Sequence, residues 1–236
     1  SVSIFQQQAK LLINQLNDNH VVPILSGGTG LYVQSLLENY NFNDIKPNTK
    51  LRIELDELYT EYGVDGLREY AQNLAEKGGI EIKYTDKHRL YRAIELMTAG
   101  DYKSLIKQTK EGLSYKGPVI GLQRERSDLY DRINRRVEIM FEKGLVDEVK
   151  QLLKNGVNPN CQAFKGIGYK EVVQYLEGLI SYDACVDLIQ KNTRHFAKRQ
   201  ITWYKRMPYI EWIIIDSQTT EAEIYGMACN IIDSSF

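Results

Sequence analysis

Val21-Val22-Pro23-Ile24-Leu25-Ser26-Gly27-Gly28-Thr29-Gly30-Leu31-Tyr32 is the stretch on which the fold class turns. Val21 to Leu25 reads as a short buried strand, and Pro23 within it removes one ladder donor, which suits an edge position. Ser26 to Gly30 is a glycine turn, and Leu31, Tyr32, Ser35, Leu36 and Leu37 continue as a helix. Strand, glycine turn and helix in that order form an α/β unit whose turn is a candidate anion site. Backbone amides point outward at a helix start, and glycine lets a ligand approach the backbone closely. The Lys-Ser/Thr ending of a Walker loop is absent. Glycines at such a junction also serve packing alone, and Thr29 reads equally well as a plain helix cap.

Ahead of this unit, Phe5, Ala9, Leu12, Ile13 and Leu16 recur at helical spacing behind a Ser3–Gln6 capping box. Behind it, Asn41 to Lys50 is a polar connector, and the pattern turns wholly helical. Thr49 is positioned to cap a helix carrying Leu51, Leu55, Leu58, Tyr59 and Tyr62 and stopped at Gly63. Leu67, Tyr70, Ala71 and Leu74 make a second, stopped at Gly78-Gly79. Asp86 caps a third, with Leu90, Ala93, Ile94 and Met97 on its apolar face and Gly100 at its end. His88, Arg89 and Arg92 stand near the start of that helix, where cations oppose the helix dipole. Either they serve something outside the helix or they pair with Glu95. Asp101 to Gly117 is polar and Lys-rich. The spacing predicts a helical insertion over residues 41–115 in an α/β core made of 1–40 and 116–236.

Val119 to Leu122 returns to strand character. A helix from Ser127 carries Leu129, Ile133, Val137 and Phe141 on one face and Arg132, Arg135 and Arg136 as a basic patch. Arg132 is expected to pair with Asp128 or Glu138. Gly144 breaks this helix, Val146 to Leu153 resumes it, and Asn155-Gly156 ends it. Gly166 and Gly168 permit a tight turn in Ala163 to Lys170. A long helix follows from Ser181, then a strand over Ile210 to Ile215 and a closing helix over Thr220 to Ile232. Three strands, each followed by a helix, are fewer than an open parallel sheet needs, and the first phosphate-binding turn of such a sheet lies near its start. The chain reads as an α/β protein without its opening strands.

The end of the long helix, Lys191 to Arg206, holds six Lys and Arg and no carboxylate. At about 100° per residue, Arg194, Lys198, Lys205, Thr202, His195, Arg206 and Arg199 fall within an arc of about 140°. Phe196, Trp203, Gln200, Tyr204, Ala197 and Ile201 take most of the rest, and Phe196 and Trp203 are expected in the core. A merely solvated helix mixes signs and gains i,i+4 pairs. A one-sign stripe gives these up and repels itself, which points to a polyanionic counterpart.

The 236 residues carry a net charge of −1, so nucleic-acid binding must rest on such local stripes. Hydrophobic residues make up 43%, enough for a globular core. Cys161, Cys185 and Cys229 are odd in number and widely spaced, which argues against a disulfide framework or a zinc site. His20, His88 and His195 are equally scattered. No apolar run reaches membrane-spanning length. A cytoplasmic, monomeric protein is expected.

Four segments together resemble the tRNA dimethylallyltransferases (isopentenyl-tRNA transferases). They are Gly27-Gly28-Thr29-Gly30-Leu31-Tyr32, Arg89-x-x-Arg92-Ala93-Ile94-Glu95, Gly166-Ile167-Gly168-Tyr169-Lys170-Glu171, and Arg194-x-x-Ala197-Lys198-Arg199-Gln200-Ile201-Thr202-Trp203. The last is the most specific, and the likeness runs from about Ile4 to Trp212. It implies a P-loop-kinase-like open parallel sheet with a helical insertion that grips the anticodon stem-loop. It implies transfer of a dimethylallyl group from dimethylallyl diphosphate, with Mg2+, to the exocyclic amine of adenosine 37, immediately 3′ of the anticodon. The family's P-loop and the aspartate that acts as general base have no counterpart here. The resemblance therefore implies a member without its first ~80 residues, and this chain alone is expected to be inactive. Ahead of Arg89 the family's His-Pro-Asn-Asp is replaced by Lys83-Tyr84-Thr85-Asp86.

By the same resemblance, Thr29 sits in the reaction channel beside the acceptor adenine, with Gly27 and Gly28 at the diphosphate. Arg136 faces the diphosphate leaving group. Arg52, then His88, Arg89, Leu90, Tyr91 and Arg92, then Lys165, Gly166, Ile167, Gly168, Tyr169 and Lys170, would contact tRNA. So would Lys198, Arg199, Gln200, Ile201, Thr202, Trp203, Tyr204 and Lys205. A tRNA-binding module without catalysis and a P-loop small-molecule kinase are the competing classes; the kinase leaves the stripe unexplained.

Overall fold

The computed structural model of the chain describes residues 1–42, 45–105 and 113–235. In chain order it forms α1 (Val2–Asp18), α2 (Gly30–Leu37), α3 (Thr49–Lys77), α4 (Lys87–Thr98), β1 (Val119–Arg124), α5 (Arg126–Glu142) and α6 (Leu145–Lys154). Then follow α7 (Tyr169–Leu176), α8 (Tyr182–Tyr204), β2 (Ile210–Ile215) and α9 (Glu221–Asp233). Short polar side chains set many of the helix starts by accepting from an otherwise orphaned amide of the first turn. Asp86 accepts from the Arg89 amide, Ser181 from that of Ala184, and Thr220 forms a reciprocal box with Glu223. Two caps differ from the sequence reading. Ser1, not Ser3, takes the Ile4 amide of α1, and Asn48, not Thr49, takes the Leu51 amide of α3.

The chain divides into two compact units. The first comprises residues 1–24 and 34–114. Its core is α3 against α4, with Leu55, Leu67, Ala71, Leu90, Ala93 and Ile94 buried together. Gly63, at φ +65° and ψ −154°, breaks α3 into two arms. Residues with a Cβ rarely adopt that φ, so the sequence break at this glycine is a real one. The Gln6 amide donates to the Ser35 and Tyr40 carbonyls at 2.6 and 2.8 Å. The Ser114 amide donates to the Leu37 carbonyl at 2.8 Å. These bonds group residues 1–24 and 34–40 with the helical segment, whereas the sequence division set them with the α/β part. Within the predicted connector and the Lys-rich stretch, residues 43–44 and 106–112 lie outside the described residues.

The second unit comprises residues 25–33 and 115–236. Strands β1 and β2 pair in parallel, from Val119 opposite Ile210 to Arg124 opposite Ile215. A Cβ on Gly121 would lie 2.7 Å from both Ile210 Cγ2 and the Trp212 ring, so the close sheet contact requires glycine there. Four helices, α5 to α8, enclose Val137, Phe141, Val149, Phe164, Val172, Cys185 and Ile189. Gly144, at φ +90°, makes the turn between α5 and α6.

One element of the sequence reading is corrected. Val21 to Leu25 is irregular, and it is open to solvent, with Val22 79% and Ile24 89% exposed. A strand exists by its ladder, and among the described residues only β1 and β2 pair. Without a neighbour, a Pro-containing apolar run gains no ladder bonds and stays out of the sheet. The class stands as α/β with a small parallel sheet.

Candidate functional site

Helix α8 holds the cationic stripe. Its first half is anchored by buried Cys185 and Ile189, and the Gln190 amide donates to the Asn134 carbonyl of α5 at 3.3 Å. Past that anchor, His195, Lys198, Arg199, Thr202, Trp203 and Arg206 line one shallow depression of about 470 Å³. Lys198, Arg199, Lys205 and Arg206 are exposed, and none has an ion-pair partner among the described residues. Arg194 departs from the stripe because its guanidinium bonds the Asn134 side chain. Phe196 corrects the expected core position. It is 46% exposed and lies under the Arg199 guanidinium at 5.9 Å, because the α5–α7 core packs on the helix before this turn. Ile201, Trp203 and Tyr204 are half-buried, and the indole Nε1 and the Tyr204 hydroxyl are buried without partners among the described residues.

The glycine turn is bound to this helix. Gln200 Nε2 donates to the Gly28 carbonyl at 2.7 Å, and the Trp203 indole fills the space beside Gly30. Thr29 opens α2, its carbonyl accepting from the Tyr32 and Val33 amides at 2.9 and 3.1 Å. Its side chain is exposed, and its hydroxyl makes no hydrogen bond among the described residues. The hydroxyl is therefore not used as a cap.

Arg132, Arg135 and Arg136 are exposed on α5, and the carboxylates expected for Arg132 are engaged elsewhere. Asp128 bonds Arg124 at 2.8 Å, and Arg124 also donates to the Asp216 carbonyl at 2.6 Å. Glu138 accepts from Gln190 at 3.4 Å. All three arginines lack an ion pair among the described residues.

In the Ala163 to Lys170 segment, buried Phe164 is the anchor while Lys165, Gly166 and Lys170 are exposed. Ile167 is half-buried and Gly168 is buried at φ +107°. The Tyr169 hydroxyl bonds Glu148, which raises the phenol above its ordinary value. Glu171, quoted in the Gly166 to Glu171 segment but given no role from the sequence, is a buried carboxylate that accepts from the Gly168 amide at 2.8 Å and from Asn192 of α8 at 2.7 Å. Its signal was the spacing of three from a helix-starting glycine, half of a capping box. Nearby, burial and the Glu171 charge push the Cys185 thiol up to about 11. No hydrogen bond or ion pair among the described residues joins Arg136 or Lys165 to the α8 depression.

In the first unit the predicted RNA contacts separate by burial. Glu95, 3% exposed, accepts from Arg52 at 2.7 and 3.3 Å, from Arg92 at 3.2 Å and from the Asn48 amide at 3.1 Å. Burial pushes this carboxyl up, but the hydrogen bonds from Arg52, Arg92 and Asn48 outweigh it and hold the group below its ordinary value. Arg92 also donates to the Ile45 carbonyl at 2.8 Å. Leu90 is fully buried and Tyr91 nearly so, the latter bonding Asp56 at 2.8 Å. These two side chains form core, out of reach of a surface partner. His88 and Arg89 are exposed, so Glu95 pairing accounts for Arg92 and Arg52 but not for Arg89.

Among the described residues no three His, Cys, Asp or Glu side chains could hold a metal ion together, and no helix is long and apolar enough to cross a membrane.

A family profile described as IPP transferase matches residues 1–207. A tRNA dimethylallyltransferase of Clostridioides difficile is 39% identical over 220 residues, 92% of this chain and 70% of that protein. Another, of Alkaliphilus metalliredigens, is 36% identical over 236 residues, 98% of this chain and 75% of that protein. The crystal structure of the full-length tRNA isopentenylpyrophosphate transferase of Bacillus halodurans superposes with a TM-score of 0.66 at 33% identity. It is matched over 100% of this chain and 75% of that one.

Proposed function

The chain belongs to the IPP transferase family, and from that premise we propose that it transfers a dimethylallyl group from dimethylallyl diphosphate to tRNA. The acceptor in this reading is the exocyclic amine of adenosine 37 in the anticodon stem-loop, and the product is isopentenyladenosine. The observation that supports it most directly is the α8 depression, lined by His195, Lys198, Arg199, Thr202, Trp203 and Arg206, with cations of one sign and no carboxylate. A surface of that kind suits phosphates, which fix the register of a stem-loop without reading its sequence.

The amine attacks the allylic carbon, the carbon–oxygen bond to the diphosphate breaks, and the amine loses a proton. The acceptor base must first leave its stack, as for other enzymes that act on a base. Thr29 has an unengaged hydroxyl for the adenine, and Gly27 has open space beside its backbone for the diphosphate. Arg136 supplies a cation for the leaving group. Magnesium carried in with the diphosphate would neutralise part of its charge. The described residues offer it no cage of three or more His, Cys, Asp or Glu side chains. Lys165, Lys170, His88, Arg89, Lys198, Arg199 and Lys205 are the exposed candidates for tRNA phosphates. In the same reading the core is P-loop-kinase-like and the protein acts as a monomer in the cytoplasm.

Arg199→Ala is expected to weaken tRNA binding and to lower the slope of log affinity against log salt by about 1. Binding isotherms at several salt concentrations measure this. An unchanged slope removes α8 from the interface.

A further inference from the structure

Gln200 and Trp203 lie on α8 among the cations of the stripe, yet their side chains turn to the glycine loop. Gln200 Nε2 donates to the Gly28 carbonyl at 2.7 Å, and a Cβ on Gly28 would come within 2.2 Å of that same nitrogen. At Gly30 a Cβ would meet the Trp203 indole at 2.3, 2.6 and 2.8 Å. Neither glycine has a positive φ, so backbone conformation does not demand glycine at either position. At Gly30 space does, because the rigid Trp203 indole fills the volume that a larger residue would need, whereas at Gly28 the end of the Gln200 side chain would have to swing away and give up its bond. Gly27 has nothing within 4 Å and plays no part in this contact. Thr29 therefore stands between two backbone positions pressed onto α8, with its own side chain outward.

We propose that Gln200 and Trp203 are positioning residues, clamping residues 28 and 30 so that Thr29 presents its hydroxyl in one place. Gln200 lies between Arg199 and Thr202 of the depression, and Trp203 lines the depression as well as meeting Gly30. The helix that meets phosphate is thereby the helix that holds the reaction loop. This inference rests on the reading of the chain as a tRNA prenyltransferase with Thr29 beside the acceptor adenine. Displacements of about 1 Å at a reacting centre can cost up to ~100-fold in rate, so a loosened loop slows chemistry without loosening RNA.

The test uses the full-length enzyme with Gln200→Ala, Gly28→Ala and the double variant. Each is measured for single-turnover prenyl transfer at saturating tRNA, for tRNA Kd, and for hydrogen exchange of the Thr29 to Leu31 amides. Gln200→Ala is expected to slow transfer about tenfold, to leave Kd within about twofold, and to speed exchange in the loop. Gly28→Ala displaces the Gln200 amide and is expected to do the same. The double variant should be no worse than either single one, because both remove one contact. A weakened Kd with unchanged transfer would make Gln200 an RNA contact and overturn the clamp, as would additive losses or unaltered exchange. Absence of prenyl product from the unmodified enzyme would instead defeat the parent reading, and loop exchange in the variants would then decide the clamp by itself.

Discussion

Arg136→Ala is expected to lower the single-turnover rate of prenyl transfer by roughly 100-fold, the usual scale for losing one donor to developing charge. Binding of tRNA should change by less than a few-fold. The expectation comes from its situation on α5, the helix that follows β1. Arg136 is exposed on that helix with no ion pair among the described residues. Asp128, four residues before Arg132, is held by Arg124 at 2.8 Å. Negative charge moves onto the diphosphate as the carbon–oxygen bond breaks, so a guanidinium there favours the transition state over the ground state. Arg136→Lys should restore only part of the rate, since an ammonium cannot make a bidentate contact. Single-turnover chemistry beside a tRNA isotherm decides it. Lost RNA affinity with unchanged chemistry would move Arg136 to the RNA surface.

Glu95→Ala should destabilise the first unit by about 3 kcal/mol, the low end of the range for breaking a buried ion pair. The low end applies because Arg52 and Arg92 keep 43% and 34% of their side chains in water. The substitution also leaves the Asn48 amide without its acceptor at the start of α3. Glu95→Gln keeps the shape and removes the charge, so it should lose less. The folded carboxyl titrates below its ordinary value of 4.5, so below that value the unfolded chain takes up the proton first. Its stabilising contribution is complete above about pH 4.5 and disappears as the pH falls through the lowered folded value. Urea unfolding across that window should therefore show the natural protein and Glu95→Gln converging at acid pH. A constant gap between them would mean that the charge of Glu95 contributes nothing.

The helical segments were legible because their signals are local. Asp86 caps α4, Gly63 breaks α3, and Gly144 separates α5 from α6, each by chemistry confined to a few residues. β1 and β2 were legible from their apolar runs. Val21 to Leu25 misled because its pattern fits a strand, but a strand also needs a neighbour, which composition cannot supply. In the site, the stripe on α8 followed from helical period alone. The destinations of single side chains did not. Arg194 goes to Asn134, Asp128 to Arg124 and Gln200 to Gly28, and each partner is distant in sequence or one of several equivalent choices. Glu95 was legible as a possible partner of the cations at the start of α4, and Glu171 by its spacing from Gly168, but the burial that lets their carboxylates organise α3–α4 and α7–α8 was not.

The β1–β2 pairing carries a consequence in time. Arg124 reaches the Asp216 carbonyl across 92 residues of chain, and α5 to α8 lie between. On a ribosome β1 emerges long before its partner exists, and four helices can form and pack while it waits. Closing so long a loop is entropically costly until those helices shorten it. The sheet is thus expected to be a late event, completed on a helical scaffold already in place. Pulse-labelled hydrogen exchange during refolding should protect the α5 and α8 amides before those of Ile120 to Gln123. Simultaneous protection would show instead that the strands help to nucleate the unit.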